Sequence, residues 1–391
     1  MTTETGIKSS LKEFITRKEV PVIVIVLALL TYLFASRGVP IILTIFIDFA
    51  VFAIITMSLN LETGYAGVPQ FGRVAAVIAG AFAVGAIPGR ILAWFMDLPY
   101  GLEYASDAVN FRIVPEINAL LASSWLLSIG FLLFSLIIAA ISGALIGWII
   151  SRPAIRLKEA YLGISLLAFG DFLMWVGHNW SGMVGGSVPI YVPDPFRIFA
   201  VDRFTVIVLV IFVAAFMVFI YMNRLARSPF GRSMRMIRDN DISAAAAGID
   251  VVKVRTQSLV IGSAVAAIAG GLYVIYTGTC TAFGFQKLTW TFWPWAFMML
   301  GGIGSTLGVL LGVFLLTILR TMIVIFRHQW FGFLLNIGID PLWLEFTLLG
   351  AVIIGVILFM PHGLVPEKVE PMLPKSRVNK IIESRRLAKG E

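Results

Sequence analysis

The chain has 391 residues, 59% hydrophobic and 13% charged, with a mean hydropathy of +0.93 and a formal net charge of +8. A soluble domain carries about 45–50% apolar and roughly 25% charged residues, so one compact soluble domain and a disordered chain are both excluded. The apolar residues run in blocks too long for the ~10-residue alternating strands of a membrane barrel, which leaves membrane helices.

A crossing helix needs about 20 apolar residues. Ten segments qualify or nearly so: 20–36, 41–61, 74–96, 124–150, 161–177, 204–222, 257–278, 290–303, 306–327 and 343–360. Met1 to Val20 is mixed in charge, and no clean small-residue cleavage site follows Pro21-Val22-Ile23, so the first segment reads as a retained helix. The third segment carries Pro88-Gly89, which predicts an interruption there. The eighth is short and runs into Gly301-Gly302-Ile303-Gly304-Ser305. This predicts a broken helical hairpin over 290–327. A second glycine-rich break runs from Gly64 to Gly72, through Tyr65, Gly67 and Gln70 and just after Asn60. Irregular backbone at membrane depth survives only where protein or a cavity satisfies its polar groups. Interrupted segments in the two halves of a chain can mark a pathway. No clear internal repeat accompanies them.

The charges test this map. With the N-terminus inside and all ten segments crossing, the inside holds 22 of the 30 Lys and Arg residues. The net balance becomes +10 inside, zero outside and −2 from Asp48 and Asp171 within the membrane. That distribution obeys the positive-inside rule. The surplus positive charge therefore reads as orientation, not as a nucleic-acid surface. The expected organisation is a cytoplasmic segment 1–19, a transmembrane domain 20–360 containing an inside loop 223–256, and a cytoplasmic basic tail 361–391.

The inside loop is the most informative soluble segment. It reads Ser228-Pro229-Phe230-Gly231-Arg232, then Arg235, Arg238, Asp239, Asp241, Ile242, Ala244 to Ala247, and Gly248-Ile249-Asp250. Asp239 or Asp241 can cap a helix start. The alanines are strong helix formers with little bulk, and Gly248 suits the left-handed residue after a helix end. A short, small-faced helix with Ile242 and Ala245 on it can lie in a partner's groove. An interfacial loop whose arginines meet lipid headgroups has the same composition.

Other residues carry less. Asp171 sits in the apolar run Leu166–Leu173, where an acid must face the bundle interior, a cavity or a basic partner. It reads equally as a pathway or gating residue and as a structural acid. Trp290, Trp293 and Trp295 read as an interfacial belt. His178, His328, His362 and the single Cys280 make no metal-ligand pattern, so no metal and no cofactor is expected on this chain. Gly301 to Ser305 lacks the lysine and preceding strand of a phosphate loop. The chain therefore cannot hydrolyse ATP by itself and is not expected to be an enzyme.

Five strings in order resemble a family. They are Leu59-Asn60-Leu61 with Gly64-Tyr65-Ala66-Gly67; Arg156-Leu157-Lys158 through Phe169-Gly170-Asp171; Phe230-Gly231-Arg232 through Ile249-Asp250; Leu300 through Ser305; and Phe359-Met360-Pro361-His362-Gly363-Leu364. Together they are similar to permeases of branched-chain amino acid ABC importers, of the LivM type, whose relatives serve urea and short amides. Two departures stand out. Val68-Pro69-Gln70-Phe71-Gly72-Arg73 replaces a polar stretch resembling Gln-Leu-Ser-Leu-Gly-His, and Asp171 stands where Glu is common.

The resemblance implies an all-α membrane protein with the ABC-importer permease fold, in the plasma (inner) membrane with both termini cytoplasmic. It implies coupling to cytoplasmic ABC ATPase subunits through Arg232, Arg235, Arg238, Asp239, Asp241, Ile242, Ala245 and Gly248. It implies a second related permease subunit and an external substrate-binding protein. The translocation pathway is expected along Asn60, Gly64, Tyr65, Gly67, Gln70, Asp171, Gly301, Gly302, Gly304 and Ser305. Branched-chain or other neutral amino acids, urea or small amides are the expected substrates. The competing expectation is a stand-alone proton-coupled secondary transporter using Asp171 or Asp48.

Overall fold

A computed structural model describes Thr31 and residues 38–99, 103–157, 159–333 and 340–367. The 1–19 segment, nearly all of the first expected span and residues 368–391 lie outside the described residues.

The described residues form thirteen α-helices, and each expected span from the second onward is occupied by one of them. They are α1 (Val39–Leu59), α2 (Arg73–Phe95), α3 (Asp107–Ser123), α4 (Trp125–Arg156), α5 (Glu159–Asn179), α6 (Ser181–Val184) and α7 (Arg203–Arg227), followed by α8 (Pro229–Asp239), α9 (Asp241–Ala246), α10 (Val251–Thr277), α11 (Trp293–Gly301), α12 (Thr306–Phe331) and α13 (Leu344–Phe359). Among the described residues, seven helical stretches are long and apolar enough to cross a membrane. The sheet is a two-residue ladder, β1 (Ile190–Tyr191) antiparallel to β2 (Thr279–Cys280).

Capping residues place the turns at the α8–α10 end. Ser228 Oγ accepts from Gly231 N at the start of α8, Asn240 Oδ1 from Ser243 N at the start of α9, and Asp250 Oδ1 from Lys253 N at the start of α10. The cap of α9 is therefore Asn240 and not Asp239 or Asp241. Its short side chain reaches a free N–H from outside the helix, whereas Asp241 already lies within it. Gly248 has φ 83° and ends that turn as expected.

At the centre, α10 packs on α2 and α4 by small residues. A Cβ on Gly143 or Gly147 of α4 would strike Ser263, Leu259 and their neighbours on α10. Such close backbone approach replaces the hydrophobic drive that helices lack in lipid. The opposite face of α4 points outward with Leu133, Ile137, Ile141, Leu145 and Trp148, as a lipid-facing surface requires.

Two expectations change here. α2 continues through Pro88 without interruption. Membrane helices tolerate proline where neighbours re-satisfy the freed backbone groups. Trp290 and Trp293 are 2% and 0% exposed, so they fill the core and form no belt. Trp295 stacks on Phe71 at 4.6 Å.

Candidate functional site

The two glycine-rich breaks meet. α1 ends in a widened turn, Asn60–Tyr65, and α11 ends at Gly301. Asn60 Oδ1 accepts from Gly304 N at 2.8 Å, and the Tyr65 and Thr306 hydroxyls lie 3.0 Å apart. Gly302 (φ 119°) and Gly304 (φ 79°) adopt backbone that side chains disfavour. Ser305 then starts α12 by accepting from Gly308 N at 3.2 Å. Residues 301–305 are thus the turn of the expected hairpin, with α11 as its short limb and α12 as its long one.

α8 closes over this junction. Arg238 Nη1 donates to the Gly64 carbonyl at 2.6 Å and to Glu367 Oε2 at 2.7 Å. Arg235 reaches Glu367 Oε1 at 3.2 Å and lies over the Tyr65 ring at 5.3 Å. Glu367 arrives because the segment after α13 folds back: Leu364 N donates to Leu300 O, and Val365 N to Gly301 O. Burial alone lowers the Arg238 pKa, but the hydrogen bond and charge of Glu367, with Asp239 beside it, hold it above the usual arginine value. Gly67 (φ 69°) leaves no room for a side chain, since its Cβ would fall 2.9 Å from Arg238 Cγ.

Behind the junction lies a sealed ion pair. Arg73 Nη2 donates to Glu62 Oε2, and both side chains are fully buried. Arg73 Nη1 also donates to Ser58 Oγ and to the Gly262 carbonyl of α10. Gln70 is 1% exposed and uses its Oε1 to accept from Gly72 N. These two charges read as loop residues in the sequence. A pair sealed among apolar helices avoids the cost of a lone buried charge.

The remaining expected coupling residues form an outward surface. Arg232, Asp239, Asp241, Ala245 and Gly248 are exposed, and Ile242 is 79% exposed. Nothing lies within 4 Å of a Cβ built on Gly248. Only Ala244 of this short helix turns inward. The structure therefore divides the expected coupling set: Arg235 and Arg238 face the breaks, and the others face away from the chain.

Asp171 sits on α5, which packs against Phe71, Gly72 and Val74 at the end of the first break, but its own charge is met elsewhere. Its Oδ2 accepts from Lys287 Nζ at 2.7 Å, and the pair is 35% and 44% exposed. At the far end from α8, Arg203 Nε donates to Asp194, beside a cavity of about 900 Å³ lined by Asn118, Asp194, Arg197, Arg203 and Thr279 among others. Cys280 is buried there, and burial pushes its thiol up to about 12, which keeps it protonated. Among the described residues no group of three or more His, Cys, Asp or Glu is placed to hold a metal ion.

Sequence reading missed Glu367, Thr306, Lys287 and the Glu62–Arg73 pair. The signal for Glu367 was available in part, since it follows Pro361-His362-Gly363-Leu364 at the end of the last helix.

Residues 41–357 match the family model described as "Branched-chain amino acid transport system / permease component". The chain is 36% identical over 340 residues to the probable branched-chain amino acid transport permease protein LivM of Methanocaldococcus jannaschii, covering 86% of this chain and 95% of that one. It is 24% identical to the high-affinity branched-chain amino acid transport system permease protein LivM of Escherichia coli, over 70% of this chain and 64% of that one. It is 27% identical to the autoinducer 2 import system permease protein LsrC of Salmonella typhi, over 58% of this chain and 60% of that one. No solved structure matches it.

Proposed function

The chain belongs to the branched-chain amino acid transport permease family, and on that premise we propose that it is the permease subunit of an ATP-driven importer of branched-chain or other neutral amino acids. The observation that carries the coupling is the reach of Arg238 from the last turn of α8 to the Gly64 carbonyl, beside Gly304. One residue of the docking loop thereby touches one break and borders the other.

The mechanism follows from that contact. Cytosolic ATPases grip the exposed face of Arg232, Asp241, Ile242, Ala245 and Gly248. When they close on ATP, α8 moves, and Arg235 and Arg238 carry the displacement to Tyr65, Gly64 and Glu367. The Gly64–Gly72 and Gly301–Ser305 turns then change together, which alternates access across the membrane. An external binding protein delivers substrate at the opposite end, beside the cavity near Arg203. The Asp171–Lys287 pair supports a second permease subunit: an ion pair this exposed on a membrane-crossing helix needs protein or water opposite it, not lipid. In this reading both termini are cytoplasmic and the chain carries no cofactor of its own.

Uptake in proteoliposomes tests the proposal. Labelled leucine should enter only with the ATPases, the second permease, the binding protein and ATP present. Uptake by this chain alone, driven by a proton gradient, would make it a secondary transporter instead.

A further inference from the structure

Three ionisable side chains converge at membrane depth away from the docking loop. Asp48 is at the middle of α1, Arg320 lies within the span Thr306–Arg327, and Glu345 is in the first turn of α13. Charges at this depth are costly and mark polar sites or pathways. Arg320 Nε donates to Glu345 Oε1 at 2.7 Å, and its guanidinium lies 5.5 Å from both the Phe52 and Trp293 rings. Asp48 accepts no hydrogen bond from any described residue. It lies within electrostatic reach of Arg320, Glu345, Tyr273 and Tyr276.

Accessibility separates this cluster from a structural one. Asp48, Tyr273, Tyr276, Arg320 and Glu345 are all partly accessible, whereas Phe52 and Trp290 beneath them are 3% and 2% exposed. Tyr273 meets Trp290 edge to face at 4.8 Å, and Phe52 meets Trp290 at 5.6 Å. The result is an aromatic floor below a charged rim. A closed network would satisfy every carboxylate. Here one carboxylate is left over: Asp48 and Glu345 both face Arg320, while Arg203, which reaches the Tyr276 carbonyl, is already paired with Asp194.

We propose that this cluster is a binding site for the zwitterionic head group of a neutral α-amino acid. Asp48 takes the α-ammonium, with the Tyr273 and Tyr276 rings beside it, since a cation gains over an aromatic face. The Arg320 fork, already turned toward a carboxylate, takes the α-carboxylate and shares its donors with Glu345. The apolar side chain rests against the accessible parts of the Tyr273 and Tyr276 rings, above the buried Phe52 and Trp290. The ammonium offsets the surplus acid, and the carboxylate needs Arg320, since Arg203 beside Tyr276 is already paired with Asp194. A ligand with one of the two groups leaves the other half unpaired. This assignment rests on the importer reading and adds where in the chain its substrate is recognised.

Equilibrium binding of labelled leucine to the purified full-length chain in lipid nanodiscs, without the external binding protein, tests the site. Saturable binding is expected, weakened about tenfold or more by Asp48→Asn, as loss of a charge-assisted contact implies. Unlabelled isoleucine should compete, and neither 4-methylpentanoate nor 3-methylbutylamine should. If Asp48→Asn fails to fold, Asp48→Glu keeps the charge but shifts it by one methylene, and its affinity should still fall several-fold. Wild-type affinity in these variants, or equal competition by the amine-free acid, overturns the site. Absence of saturable binding to the wild-type chain also overturns it. The importer reading is judged separately, by ATP-driven uptake in the complete assembly.

Discussion

Arg238 and Gly64 are 174 positions apart in the chain, yet the guanidinium of one donates to the carbonyl of the other at 2.6 Å. The carbonyl is free to accept because it belongs to the widened turn that ends the first described helix. If this bond transmits the stroke, Arg238→Ala should leave ATPase binding intact and cut leucine uptake per ATP hydrolysed. A hydrogen bond to a charged group is worth about 1.5–3 kcal/mol, so a fall of roughly tenfold or more is expected. Comparing ATP hydrolysis with uptake in the same proteoliposomes checks it; unchanged stoichiometry would place the transmission elsewhere.

The outward face of α9 makes a separable prediction. Ile242 is 79% exposed and Gly248 has open space around it. Ile242→Glu should therefore fold and insert normally but fail to retain ATPase subunits in co-purification. Gly248→Trp should do the same, with an added strain of about 1–2 kcal/mol from its left-handed backbone. Full ATPase recovery with both variants would count against docking at this helix.

The sealed Glu62–Arg73 pair predicts a stability effect and not a coupling one. Removing one member of a buried pair costs about 3–5 kcal/mol. Arg73→Met should lower the thermal unfolding temperature markedly in detergent, and Glu62→Gln combined with Arg73→Met should recover part of the loss. A double variant as unstable as the single one would show that Arg73 matters for its bonds to Ser58 and Gly262 instead.

Asp171 and Lys287 lend themselves to a charge exchange. Asp171→Lys should impair assembly with the second permease or transport through it, because it places two cations together at an exposed position. Adding Lys287→Asp should restore function toward wild type. Failure of the exchange to rescue would mean that each charge has its own partner on the other subunit.

Much of the bundle was legible because membrane helices are written in composition. The blocks at 204–222 and 257–278 became Arg203–Arg227 and Val251–Thr277, extended at their polar ends where capping and not hydropathy sets the limit. Gly301 to Ser305 was legible as a turn, since glycines with positive φ and a capping serine have few other uses. The helix Asp107–Ser123 was not marked, being too polar for a span.

What escaped was pairing across distance. Glu62 and Arg73 look like loop charges until α10 closes over them. Asp48 reads as a lone acid along the chain, and only the folded structure brings Arg320 and Glu345 within its electrostatic reach. Trp290 and Trp293 match a belt by composition, and only packing against Phe52, Tyr273 and Phe297 reveals them as core. The expected coupling residues looked like one group, but helical geometry sends Arg235 and Arg238 inward and leaves Ile242 outside.

The helix that follows the docking loop begins at Val251, directly after Gly248 and its capping Asp250, and ends at Thr277, one residue beyond Tyr276. It holds 27 residues and no proline, and at ~1.5 Å per residue it is about 40 Å long. Its glycines, Gly262, Gly270 and Gly271, are pressed against Glu62, Val77 and Val84, so neighbouring elements brace the rod where it could bend. A nudge at its foot, where the partner would grip, must reappear at its head beside Asp48. The energy source and the cargo would thus sit at the two ends of one rigid lever, and neither could move without the other registering it.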